Sequence, residues 1–156
     1  MTGSADTEWE AHDFSRGSTS HDALGIAEVL ARYDGYPPAV RQKKLHAGWF
    51  YGSGDVFDAR QAERRGDAVV QRCAATRAVE QFAALAYVLR ERFPPYRKWR
   101  FRDIPLELPG IETAHTGDTD ALATLATAVE SHLRPHLSHD RIDEPYLHPP
   151  AFDRLG

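Results

Sequence analysis

Cysteine is almost missing. Cys73 is the only one in 156 residues, so no intrachain disulfide can form, and a reducing cytoplasm is the natural compartment to expect. No run of apolar residues approaches the ~18 needed to cross a bilayer. The opening stretch MTGSADTEWEAHDFSRGSTS lacks the hydrophobic core of a signal peptide, so no membrane partner is expected. Sustained apolar/polar alternation is absent, which removes strands from the expectation. A global excess of positive charge is absent too: 19 Lys and Arg stand against 23 Asp and Glu, a formal net charge of -4, and nothing in that sum points to nucleic acid.

The cations are unevenly placed, however. Between Arg90 and Arg102 stand Arg90, Arg92, Arg97, Lys98, Arg100 and Arg102 against the single acid Glu91, interleaved with Phe93, Tyr96, Trp99 and Phe101. This local patch keeps an anionic partner, nucleic acid included, within reach.

What the sequence does carry is helical periodicity. Residues 1–22 are rich in Gly, Ser, Thr and acids and read as a disordered leader. Residues 23–156 read as one helical domain, large enough to bury its own core. Ile26, Val29, Leu30 and Tyr33 recur at helical spacing, and Gly35, Pro37 and Pro38 stop that helix while Pro38 suits the first turn of the next. From there a helix is expected to about Tyr51, with a break at Gly52 and Gly54 and a second piece ending near Gly66; Leu45 and Trp49 share a face. The strongest periodicity runs from Asp67 to about Arg92. Ala75, Ala78, Val79, Phe82, Leu85, Ala86 and Leu89 form its apolar stripe, Asp67 is its cap, and Pro94 and Pro95 set its end. Cys73 falls inside this pattern and is expected as a small core residue.

The span IPLELPGIETAHTGDTD reads as a loop, followed by a helix from about Asp120 to Leu133. That helix buries Leu122, Leu125, Ala126, Val129 and Leu133, is capped by Asp118, Thr119 or Asp120, and is closed by Pro135. The tail HPPAFDRLG reads as irregular. The fold class that follows is an all-α bundle of four or five helices.

Several constellations carry possible chemistry. His132, His136, His139 and Asp140 crowd one stretch, but Pro135 breaks the helical face that would align the first pair on a metal, and polar residues at a helix end explain them. Arg134 and His139 have the spacing of the ribonuclease motif in the HEPN family of helical bundles, which makes a helical ribonuclease an alternative. Gly52-Ser53 and the acids Asp118 and Asp120 are too far apart, and in the wrong local structure, for a nucleotidyltransferase catalytic centre; Gly17-Ser18 lacks paired acids at the right distance. GSGD at Gly52–Asp55 is not a phosphate loop, since the Lys and Ser or Thr that should follow are absent. Arg65-Gly66-Asp67 is explained by a helix end and the next helix cap, although Arg64, Arg65 and Arg72 add positive charge at that helix start. No catalytic residue and no metal ligand are therefore assigned.

Three blocks in order, YPPAVRQKKL, RRGDAVVQRCAATRAVEQFAALAYVLRERFPPYRKW and FRDIPLELPG, resemble an uncharacterised helical domain that usually forms the C-terminal half of polymerase-β-type nucleotidyltransferases. The resemblance spans about residues 24–156. Its most distinctive part is the close of the long helix, matched by Arg92, Phe93, Pro95, Tyr96, Lys98 and Trp99. It implies a bundle that packs beside a catalytic domain and helps to hold the acceptor or nucleotide. The catalytic half has no counterpart in the sequence. The resemblance thus implies either a freestanding substrate-binding or partner module, not catalytic alone, or part of a split or truncated nucleotidyltransferase, with nucleoside triphosphate and magnesium entering only with a catalytic subunit. The binding residues expected are Arg41 and Lys44 from the first basic helix, Arg65 and Arg72 from the next helix start, and Tyr96, Lys98 and Trp99 from the basic aromatic block. For Trp99, packing back onto the bundle is the alternative, and a purely structural assembly protein is the corresponding alternative for the whole chain.

Overall fold

A computed structural model describes residues 35–145 together with Gly25 and Glu28. The expected leader, the helix of Ile26, Val29, Leu30 and Tyr33, and the tail HPPAFDRLG lie outside the described residues. Among those described there are five α-helices and no strand: α1 Pro38–Arg64, α2 Ala68–Leu89, α3 Ile111–Ala114, α4 Thr119–Leu133 and α5 His139–Asp143, with a 3-10 turn at Arg97–Trp99 between α2 and α3. The all-α expectation holds.

Helix α1 begins as the sequence implies, with Pro38 in its first turn after Pro37. It then runs without interruption through Gly52 and Gly54, where a break was expected. Each interior glycine lowers helix propensity by roughly 1 kcal/mol relative to alanine, and packing against α2 overrides that penalty. A Cβ on Gly52 would stand 2.5 Å from Phe82 Cε1, and one on Gly48 would stand 2.6 Å from Leu85 Cδ2. The glycines are where α2 side chains lie directly on the α1 backbone. Phe82 is fully buried there and stacks on Trp49 with ring centroids 6.0 Å apart.

The turn between the two helices is built as expected. Gly66 has φ 70°, the amides of Gly66 and Asp67 donate back to the carbonyls of Glu63 and Ala62, and the Asp67 carboxylate accepts from the Val70 amide at 3.0 Å. An antiparallel hairpin results, and Arg77 on α2 donates to Asp55 on α1 at 2.7 Å across it.

Helix α2 stops at Leu89, three residues before the expected end at Arg92. The prolines are not the terminator. Glu91 adopts φ 57°, and the Arg92 amide folds back to the Tyr87 carbonyl at 2.9 Å, so the chain has already turned when it reaches the buried Pro94 and Pro95. Cys73 also departs from expectation: it is exposed. The buried stripe passes through Ala74, Ala75, Ala78, Val79 and Phe82, and a one-residue step of about 100° turns position 73 to the opposite side.

Helix α4 lies across both α1 and α2 and completes the core with Leu122, Leu125, Val129 and Leu133, while Ala126 is half-buried. Its cap is Asp118, whose carboxylate accepts from the amides of Asp120 and Ala121. Trp49 Nε1 donates to the Ile142 carbonyl at 3.0 Å, which ties α5 to α1.

Candidate functional site

The basic aromatic block forms a loop that is anchored from inside. Tyr87 on α2 is fully buried, and its hydroxyl lies within donating distance of two loop carbonyls, Arg100 at 3.1 Å and Asp103 at 3.0 Å. The backbone of the loop is thereby fixed to the core. Its side chains point the other way: Tyr96, Trp99 and Phe101 are each about half exposed, at 48%, 50% and 47%. Trp99 is therefore not a fully buried core residue. Lys98 Nζ lies 5.2 Å from the Trp99 ring centroid and 5.9 Å from that of Tyr96, and the Arg102 guanidinium lies 5.4 Å from Trp99. Each such contact is worth about 0.5–1 kcal/mol at exposed sites, enough to hold two cations beside one ring.

Arg97 turns back along α2, its Nη2 2.5 Å from each carboxylate oxygen of Glu80. Arg100 lies half-buried beside Glu80, Arg97, Tyr87 and Tyr36, and burial pulls its pKa down. The Tyr36 phenol is pushed well above its ordinary value by the same loss of solvent.

The loop also forms one wall of a cleft of about 420 Å³. Thr76, Val79 and Glu80 come from α2, Phe101 and Ile104 from the loop, and Ile111, Glu112 and His115 from α3 and its end. Sequence reasoning missed this cleft. Thr76, Val79, Glu80, Phe101 and Ile104 all fall in the blocks quoted for the resemblance, but the Pro and Gly residues of IPLELPG marked a loop without showing that it folds back against α2.

The seven expected binding residues divide into three groups. Tyr96, Lys98 and Trp99 meet on the loop. Arg41 and Lys44 belong to the same end of the hairpin, but both are engaged in the fold. Arg41 donates through Nε to the Val88 carbonyl at 3.1 Å and through Nη2 to the Leu89 carbonyl at 2.9 Å, closing the C-terminal end of α2. Lys44 Nζ lies 5.3 Å from the Tyr36 ring centroid, and burial lowers its pKa. Arg65 and Arg72 stand at the opposite end, in the α1–α2 turn and the first turns of α2. Arg72 precedes Glu80 by eight residues, about 12 Å along the helix axis. Its Nε donates to the Ala68 carbonyl at 3.2 Å.

At the far end of α4, Arg134 and His139 do come together. Both meet Asp143, from Arg134 Nη2 at 2.9 Å and from His139 Nδ1 at 2.5 Å, and Arg134 also bonds Glu130. Pro135 lies in the turn between α4 and α5, as its backbone chemistry requires. Among the described residues no group of three His, Cys, Asp or Glu stands close enough to hold a metal ion. None of their helices is long and apolar enough to cross a membrane.

Residues 9–100 match the model of a family described as Domain of unknown function (DUF4037). That match begins and ends earlier than the span of about 24–156 expected from the resemblance, and it closes on the basic aromatic loop. No curated protein and no solved structure matches the chain.

Proposed function

The chain belongs to the DUF4037 family, and from that premise we propose that it is a helical substrate-binding module that works beside a nucleotidyltransferase catalytic partner, in the cytoplasm. The observation that supports this reading is the 96–104 loop. Its backbone is fixed to the buried Tyr87, Tyr96 and Trp99 stand half exposed with Lys98 and Arg102 beside them, and Phe101 and Ile104 of the same loop line a cleft. Such a loop is preorganised: a ligand meeting Lys98, Trp99 and Arg102 does not have to order the chain first. Lys98 and Arg102 supply charge for phosphates, and Tyr96 or Trp99 a face for a base or sugar. Nucleotidyl transfer itself needs a Gly-Ser turn and paired carboxylates. Gly52-Ser53 is inside a helix and Asp118 is a helix cap, so in this reading the partner brings those groups together with the magnesium.

Calorimetric titration of the purified chain with a nucleoside triphosphate, with and without magnesium, tests the proposal. Binding is expected, and Lys98→Ala should weaken it by about tenfold, roughly 1.4 kcal/mol, without moving the thermal midpoint. A Lys98→Ala protein that binds as before but melts early makes the loop architecture, and the structural assembly reading takes its place.

A second reading, a HEPN-like ribonuclease, is favoured by one observation, the meeting of Arg134 and His139 at Asp143. RNA left intact by the purified protein, or cut equally by His139→Ala, eliminates it.

A further inference from the structure

We propose that the cleft between α2, the loop and α3 takes an organic cation, a primary ammonium or guanidinium carried on an apolar body about one ring in size. The inference rests on the module reading above and names the class of acceptor it holds. The floor of the cleft is apolar: Val79 is buried, and Ile104 and Ile111 pack half-buried against the core beside the Phe101 ring. A cleft of about 420 Å³ is within the ordinary range for small-molecule sites.

The acids that line it are Glu80 and Glu112, His115 is the other titratable group there, and no Lys or Arg contributes to the lining. These two acids differ in one respect. Glu80 is already met by a guanidinium, that of Arg97, with the half-buried Arg100 close by. Glu112 is exposed at the start of α3 and has no ion-pair partner among the described residues. The α2 carboxylate of the cleft is thus matched by a cation from the chain itself, and the α3 carboxylate is unmatched. A ligand with an apolar body and one positive end satisfies both features. The apolar walls strengthen its attraction to Glu112 relative to open water, and a carboxylate ligand of the same shape is repelled. The division also fits the module reading: anionic groups meet Lys98 and Arg102 on the outer face of the loop, and the cationic acceptor occupies the inner face.

Three probes that share a phenyl-ethyl body decide the matter, titrated into the full chain at low salt by calorimetry or by chemical-shift changes at Ile104, Ile111 and Glu112. Phenethylamine should bind at least about tenfold more tightly than 2-phenylethanol, and phenylacetate should not bind. Glu112→Gln should remove most of the preference for the amine while leaving the alcohol unaffected, and Glu112→Asp should keep part of it. Equal binding of amine and alcohol, no binding of the amine, or an amine affinity unchanged in Glu112→Gln overturns the proposal. Triphosphate titrations run on the same samples keep the two ideas apart. If the amine fails while triphosphate binds with Lys98 dependence, the cation site falls and the module reading stands. If the amine binds through Glu112 while triphosphate does not, the cleft stands and the nucleotide reading falls.

Discussion

The seam between α1 and α2 and the loop at residues 96–104 use the same hairpin in opposite ways. Along the seam the α1 backbone gives up side chains, at Gly48 and Gly52, so that Leu85 and Phe82 can lie against it. In the loop the backbone is held by a buried hydroxyl, and the large side chains are turned to solvent. Close packing in the first region fixes the geometry of α2. That geometry places Tyr87 and Glu80, and these two residues position the second region. Rigidity is thus delivered from a tightly packed seam to a surface that has few packing constraints of its own.

The difference makes graded predictions. Gly52→Ala drives a methyl group into a fully buried phenyl ring, so it should cost about 2–3 kcal/mol and lower the thermal midpoint by roughly 5–10 °C. A melting curve that does not move would show that Phe82 simply steps aside. Tyr87→Phe removes the loop anchor but keeps the buried ring. It should cost about 1–1.5 kcal/mol and, more tellingly, speed amide exchange from Trp99 to Asp103 while the hairpin stays protected. If exchange speeds up equally along α1, seam and loop are a single cooperative unit and the contrast fails. Arg41→Met takes two hydrogen bonds from the end of α2 and keeps the aliphatic stem, for an expected loss of about 1 kcal/mol. Triphosphate binding should be unaffected, and weaker binding would return Arg41 to the ligand contacts. The smallest stability change is expected for Trp99→Ala, within about 0.5 kcal/mol, with the loss appearing in ligand binding instead. A large drop in midpoint for Trp99→Ala would put that ring in the core after all.

Much of the fold was legible where chemistry is local. The α2 stripe, the caps Asp67 and Asp118, Pro38 in a first turn and Gly66 between helices all follow from spacing and backbone preference. The misreadings share a cause. Gly52 and Gly54 looked like breakers because propensity treats a glycine by itself, whereas here a ring from another helix needs the space at Gly52. Cys73 looked like core because it is apolar and sits among apolar neighbours, but its helical phase turns it outward. Arg41 shows the same dependence on tertiary contact without deciding its role: the antiparallel approach of α1 brings two carbonyls of α2 to its guanidinium, which nothing local to Arg41 announces.

Of the candidate site, the sequence marked the cationic aromatic corner. The order of prolines, rings and cations marked Tyr96, Lys98 and Trp99 without reference to any other segment. It could not supply the cleft. Glu80 and Glu112 are thirty-two residues apart in the chain, and nothing local pairs them across one cleft. By itself the sequence determined an all-α chain, its principal caps and a cationic aromatic corner, because each depends on interactions within a few residues. The tertiary structure decided that α1 is continuous, which cations are committed to the fold, and that the corner borders an apolar, acid-lined cleft. Those outcomes depend on contacts between segments far apart in sequence, and such contacts exist only after the helices have packed.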